Sequence, residues 1–521
     1  MFSLWALLLF VVSSTPQSTA KPPLEFPVAC SASAQQRFLQ GVIKLHNSAY
    51  DEAATHFRAA QTADPKCLMA FWGEAMTFNH PFWDEQDLAG GRRALAKLGT
   101  TQSARSSRAT NARERGYLGA VEILYGDGDK TSRDLQYASA MQKLAVANPT
   151  DFEASAFYAA ALLGSVRPGD PDASKQTTAA SIVKAVLAKY PNHPGALHYF
   201  IHASDDPDRA EQALAAARLY EKIADDNFHA MHMPSHIYVQ LGMWTEAARS
   251  NEAAYAASDR YVQRNKLSAD KRDYHSLDWL QYVDMQLGQY QKARSRIDTV
   301  LHAAHQAAMP RMNGMAAEMA SRFAVETEQW DALSPFPQVS RTPKLLFAFG
   351  LSAVRKGDVT SAKAFVPRLD ALVQEAANTG LRTRSQQVDV LKKELAAEIA
   401  FAEKRFDDAE QWMREAVAIE AALKIPSVLE QGGILKPAPE FYGDLLIRMG
   451  KPAQAIDQFK IALQRTRKRA LSLLGLARAH AKQGNKAAAT QFYRELSAIW
   501  TNADSTIPAV REVRAGIGAL E

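Results

Sequence analysis

Six of the chain's 13 histidines, His193, His198, His202, His229, His232 and His236, fall within residues 193–236, far more than an even spread over 521 residues would place there. Four of them form two His-x-x-x-His pairs, His198/His202 and His232/His236. The second pair follows the first by 34 residues (232 − 198 and 236 − 202). Residues four apart on a helix share one face, with Cβ atoms about 6 Å apart, so both imidazoles of a pair reach one ion. Imidazole-dominated sites suit copper, zinc, iron or nickel. His229 stands three residues before His232, and His275 and Asp278, 39 and 42 residues past His236, are further candidates. The expectation is a mononuclear or dinuclear metal site with His198, His202, His229, His232, His236 and His275 as ligands. Pro234 stands between His232 and His236 and cannot donate a helical hydrogen bond, so it should bend or delay that helix. Two other readings compete: a metal-free groove whose histidines bind an anionic or aromatic ligand, and ordinary structural histidines.

Other chemistry-bearing residues give weaker signals. Asp205-Asp206-Pro207-Asp208 supplies carboxylates, but an Asp before a Pro reads first as a helix cap with Pro at the first helical position. Met309, Met312, Met315 and Met319 keep helical spacing; a thioether copper site and a core-facing helix both produce that pattern, and the core is the commoner cause. The chain has no Gly-rich phosphate loop, no His-Glu-x-x-His and no Gly-x-Ser-x-Gly elbow.

The elements that must position these residues are helical hairpins. LHNSAYDEAATHFRAAQTADP places Tyr50, Ala53, Phe57, Ala60 and Pro65 at regular intervals. The same pattern returns with Gly242, Trp244, Ala247 and Ala254, with Gly288, Tyr290 and Ala293, with Gly450, Ala455, Phe459 and Ala462, and with Gly484 and Ala489. Small residues let paired helices approach, and aromatics fill the gap between neighbours. Strand signals are almost absent. The pattern resembles the tetratricopeptide repeat over nearly all of residues 34–503, and the 34-residue offset of the histidine pairs equals that repeat's length. CLMAFWGEAMTFNHPFW is also similar to exported bacterial repeat proteins of unknown activity, a likeness that supplies no mechanism.

The resemblance implies an all-α, right-handed solenoid of about eleven or twelve hairpins around a concave groove. It also implies that positions 2, 5, 9, 12 and 13 of each first helix line that groove. Counting from Pro191 and from Ala247 puts His198 and His232 at position 5 and His202 and His236 at position 9. His229 and His275 take position 2, with Asp278 and Tyr282 at 5 and 9 of the next repeat. Asp278 and Tyr282 are therefore the expected catalytic or proton-handling groups. Trp72, Met76 and His80 should line the groove in the second repeat, and Glu318 and Arg322 should do so beyond the histidines. Glu440 and Asp444 take such positions near the C-terminus, where a solvated acidic groove is the plain reading. His46 and His480, in other repeats, are expected bystanders.

The whole chain narrows the setting. Residues 1–20, MFSLWALLLFVVSSTPQSTA, read as a signal peptide, being too short in apolar length for a spanning helix of about 20 residues. Residues 21–33 form a lead, 34–260 the repeats with most of the histidines, 261–503 further repeats, and 504–521 a tail. No transmembrane segment is expected after cleavage, and the protein should be exported, to a periplasm or outside the cell. The two cysteines, Cys30 and Cys67, are then expected as a disulfide, with a two-cysteine metal site the weaker alternative. Lys+Arg exceeds Asp+Glu only by 61 to 56, spread along the chain, and Arg465-Thr-Arg-Lys-Arg469 reads as a helix end. No nucleic-acid partner is implied. Export and nearby methionines favour copper over zinc or iron. The function expected is a metalloenzyme for copper-dependent oxidation or metal-assisted hydrolysis, acting on a small molecule or peptide in the groove. The alternatives are a metal carrier and a periplasmic scaffold gripping a peptide or protein. Oligomeric state is left open.

Overall fold

The computed structural model describes residues 24–167, 172–224, 226–307, 310–423 and 435–518. Within them the chain is an all-α solenoid of successive antiparallel hairpins, beginning with Ala32–His46 and Tyr50–Ala63 and running to Ala470–Lys482 and Lys486–Ile499. Strand is confined there to a two-residue antiparallel pair, Asn79–His80 with Glu85–Gln86. The signal-peptide segment and Met309 lie outside the described residues. No helix described is long and apolar enough to cross a membrane.

The repeat arises from size complementarity. Phe57 packs where a Cβ on Gly41 or Gly73 would come within 2.7 Å and 2.3 Å of its ring. Phe459 stands in the same relation to Gly443 and Gly475, at 2.7 Å and 2.3 Å. Each phenyl thus wedges between the first helices of consecutive hairpins, and both glycine pairs are 32 residues apart (73 − 41 and 475 − 443). Ala53, Ala60, Ala247, Ala254, Ala293, Ala455 and Ala462 are fully buried at the predicted small positions. Met312 and Met319 are core residues too, so their spacing reports packing.

The solenoid winds tightly enough for distant hairpins to touch. At the N-terminal end Tyr220 donates to Asn47 Oδ1 at 2.8 Å, and Tyr199 meets His46 Nδ1 at 2.8 Å. At the C-terminal end Trp244 Nε1 donates to the Lys468 carbonyl at 2.9 Å, and Trp500 Nε1 to the Gln286 carbonyl at 3.0 Å. Gly242 and Gly288 end their helices at φ +66° and +68°; a Cβ there would lie 2.5 Å from the Arg467 carbonyl oxygen and 2.6 Å from Ala503 Cβ. These two glycines therefore serve both the turn and the close approach of the later hairpins.

Cys30 and Cys67 are joined by a disulfide with Cα atoms 4.8 Å apart, tying the lead to the end of the first hairpin. The groove assignments in the second repeat need correction. Trp72 is fully buried among Phe26, Phe38, Tyr117 and Phe157. Met76 is buried, with the Tyr137 hydroxyl 3.8 Å from its sulfur. The helix Leu68–Met76 ends before His80, whose ring stacks on Tyr50 at 3.9 Å. Apolar bulk won at Trp72 because the lead, through Phe26, packs over it.

Enlarging a buried alanine tests the register. Ala254→Leu should cost about 1–3 kcal/mol and lower the urea midpoint. An unchanged midpoint would contradict the packing described.

Candidate metal centre

Three consecutive first helices carry the histidines. Pro194–Ala203 starts with Pro at its first turn, and the His193 side chain accepts the Ala196 N–H as its cap. Asn227 caps Phe228–His232 by accepting from Ala230, and Asp273 caps Tyr274–Gln286 by accepting from Ser276. Pro234 opens a separate short helix, Pro234–Gln240, yet Met233 keeps right-handed helical angles (φ −52°, ψ −40°) between the two. His232 and His236 therefore stay on one face, and the kink does not separate them.

All six histidines converge, as two triads. His198, His202 and His229 form the first, with Nε2 of His198 3.1 Å from Nε2 of both His202 and His229. His232, His236 and His275 form the second, with 3.1 Å between Nε2 of His232 and Nε2 of His236. Ligand nitrogens within each triad lie within 4.8 Å of one another. The triads abut: ring centroids of His202 and His236 are 5.9 Å apart, those of His229 and His232 6.4 Å. Bonds of 2.0–2.1 Å to a tetrahedral ion would put two ligand nitrogens roughly 3.3 Å apart, close to the spacing found.

The outer nitrogens decide what those short contacts are. His236 Nδ1 faces the Asp205 carboxylate at 2.6 Å, an acceptor only. Burial would raise the Asp205 carboxyl, but His236 and Gln240 outweigh it and hold it below the usual range. His232 Nδ1 faces Asn251 Oδ1 at 2.7 Å, and the Asn251 amide is oriented by its donation to the Ala247 carbonyl at 2.8 Å. His198 Nδ1 faces the His46 carbonyl at 2.7 Å. All three carry a proton on Nδ1, so a ring that is neutral has its lone pair on Nε2. Nε2 of His232 and Nε2 of His236 face each other at 3.1 Å. Burial opposes protonation at four of the rings: His198 is pushed down to about 3, and His202, His229 and His232 well below 6.5, by burial first, with neighbouring rings adding to it. A cation placed between the nitrogens would satisfy these groups. This carboxylate, amide or carbonyl behind each ring is the arrangement that orients metal-ligating histidine.

His46, Glu153 and His193, a third and fully buried group, follow the opposite logic. His46 Nε2 and His193 Nε2 each face a Glu153 oxygen, at 2.7 Å and 2.8 Å. His46 Nδ1 has Tyr199 and His193 Nδ1 accepts a backbone N–H, so every polar atom is already paired. Burial alone would raise the Glu153 carboxyl, but the two histidines hold it at about 2. The cluster braces the centre instead of holding an ion. It also makes His46 a support of His198 and not the bystander its repeat position implied.

The remaining expected residues divide. Asp278 lies at the edge of the second triad, 3.0 Å from Arg322, which also donates to Gln281 at 2.9 Å. Glu318 pairs with Lys344 at 2.9 Å, farther along the groove. Tyr282 is misassigned as a proton-handling group: it is fully buried, burial pushes it up to about 12, and its hydroxyl accepts from Arg469 at 3.2 Å. Arg469 is itself buried against Glu440 at 2.7 Å and against Glu326, so Glu440 is an ion-pair partner and not part of a solvated acidic groove. Asp444 pairs with Lys436 at 2.5 Å. Sequence reasoning missed Asp205, Asn251, Phe82 and Trp83. Phe82 stacks on His202 at 4.1 Å and 9°, and Trp83 lies 4.8 Å from His229. Asp206 accepts from the Asp208 and Arg209 N–H groups, at 3.0 Å and 2.8 Å, in the turn that precedes Ala210–Ile223, whose N-cap is Arg209 and not Asp206, while Asp205 serves the histidine.

Burial sets a pH dependence. The unfolded chain takes up protons near pH 6.5 on rings that the fold keeps neutral, so native stability must fall as pH drops from about 6.5 toward 3. Metal bound to neutral rings should likewise persist well below pH 6.5. Thermal midpoints and metal content followed from pH 7 to 4 check this; complete metal release at pH 6.5 would contradict it.

Residues 443–503 match the tetratricopeptide repeat family profile. No curated protein matches the chain significantly. Solved structures similar to it include a tetratricopeptide repeat protein from Parabacteroides merdae, 14% identical over 56% of this chain and 97% of that one, with a TM-score of 0.32. They also include an IFIT1 monomeric mutant with Gppp-AAAA, 13% identical over 95% and 98% of the two chains (TM-score 0.35), and the P58(IPK) TPR domain, 13% identical over 94% and 97% (TM-score 0.20). What those proteins bind says nothing about this chain. The profile match assigns residues 443–503 to the tetratricopeptide repeat family, and glycine–phenylalanine wedges of one design stand at both ends of the all-α solenoid.

Proposed function

We propose that this protein is a dinuclear copper enzyme built inside a repeat solenoid, oxidising a small molecule with O2. The observation that carries the reading is the approach of Nε2 atoms to 3.1 Å in rings whose Nδ1 protons are committed outward. Each triad offers three imidazoles and leaves further coordination positions open. The ligand chemistry favours copper: all six donors are borderline-soft nitrogens, whereas helical di-iron sites use carboxylates as ligands. Copper, when bound, supplies one-electron and O2 chemistry. The protein's part is to hold the rings, exclude water around His198 and His232, and keep the Nδ1 protons directed at the acceptors Asp205, Asn251 and the His46 carbonyl. Asp278 and Arg322 form a polar rim beside the second triad, suited to orienting a substrate's polar group. The Cys30–Cys67 disulfide supports export to an oxidising compartment, where the signal-like N-terminus would direct the chain. A peptide-binding scaffold is the second reading, favoured by the repeat family itself.

Protein purified without a chelating tag should contain two copper ions per chain and consume O2 with an oxidisable substrate. His202→Ala and His236→Ala should each lose copper while far-ultraviolet circular dichroism stays near the parent's. His480→Ala should keep both ions. Protein that is metal-free as isolated, and takes up neither Cu(II) nor Zn(II) on dialysis, would leave the scaffold reading.

A further inference from the structure

The connection between Leu68–Met76 and Leu88–Ala96 crosses to the histidine centre, two hairpins' worth of sequence away from any ligand. Its two short strands pair Asn79 with Gln86 and His80 with Glu85, and Arg133 donates to Gln86 Oε1 at 2.7 Å. Asp84, at φ +55°, is held by Lys130 at 2.8 Å and Arg167 at 3.4 Å. Pro81 sits where a Cβ on Gly164 would come within 2.5 Å of its own Cβ. The turn Pro81–Trp83 is thus fixed from several sides, and it is aimed at the centre. Phe82 is spent as a lid on His202. Trp83 is not: it is 43% exposed, yet only 4.8 Å from His229.

Four rings form a row across the centre, Trp83, His229, His232 and His275, with successive centroid spacings of 4.8, 6.4 and 4.7 Å. Its ends, Trp83 and His275, are exposed, while His232 in the middle is buried. Solvent therefore meets the two triads between an indole and an imidazole. The indole side is aromatic in depth, since Trp83 also lies edge-on to Tyr50 at 6.2 Å and to His80 at 6.4 Å. A lone exposed tryptophan is ordinary on a protein surface; one rigidly held at the rim of a metal centre presents a flat π face to whatever enters.

We propose that Trp83 is the specificity wall of the substrate mouth and that the substrate is a small planar aromatic molecule stacked on it beside the first triad. This rests on the metal-centre reading. Benzoate and cyclohexanecarboxylate share a carboxylate that can meet the metal and differ in the planarity of the ring, so their affinity ratio isolates stacking. With copper-loaded protein, benzoate should bind about fivefold tighter, the scale of one aromatic pair. Trp83→Ala should bring the ratio to about one, Trp83→Phe should largely keep it, and both variants should retain the parent's copper. Equal affinities in the parent, or a ratio unmoved in Trp83→Ala, would overturn the proposal. Loss of copper from Trp83→Ala would overturn it too, since the turn would then be a support of His229. Failure of the metal reading itself is separable, because the parent would then bind no copper before any carboxylate is added.

Discussion

Neutral imidazole has one proton and one lone pair, and whichever nitrogen is committed to an acceptor dictates what the other must face. In this protein Asp205, Asn251 and the His46 carbonyl claim the Nδ1 protons of His236, His232 and His198. Everything at the centre follows from that commitment. Nε2 nitrogens are brought together within and between neighbouring first helices, in an arrangement that a shared cation would complete. The third histidine cluster shows the alternative outcome under equal burial: around Glu153 every nitrogen finds a partner, and nothing is left for a metal.

The repeat supplies the alignment, and the closure of the solenoid supplies the rest. Consecutive first helices place His202, His236 and their neighbours at matching heights, which a stack of near-identical hairpins does without special sequence. What an open repeat array cannot do is bury that row. Here the first hairpin returns to set His46 and Asn47 against the helices of His198 and Tyr220. The later hairpins return to set Arg467–Ala470 against the turns at Gly242 and Gln286. Arg469, buried with Glu326 and Glu440, is the polar core of that second closure. Removing one partner of such a group would leave a buried charge uncompensated, a loss of about 3–5 kcal/mol.

How much was legible in the sequence follows from range. The His-x-x-x-His pairs, the repeat register and the cysteine pair are local or periodic features, and the 34-residue offset alone brings His198 and His232 to one level. Asp205 was visible but sat in a motif whose local reading was a cap; its neighbour Asp206 closes the turn before the helix, and only the distance to His236, 31 residues on, assigns Asp205 its role. Phe82, Trp83 and His46 reach the centre through contacts more than 100 residues long, which no periodicity announces. Tyr282 and Trp72 were placed by position in the repeat, but tertiary packing overrode position, against Arg469 in one case and Phe26 of the lead in the other.

The most direct test is anomalous diffraction at the copper edge from crystals of copper-loaded protein. The account predicts two peaks per chain, each about 2 Å from one ring nitrogen of every histidine of one triad, His198, His202 and His229 or His232, His236 and His275. Peaks absent from both triads, or found at the His46–Glu153–His193 cluster instead, would contradict it.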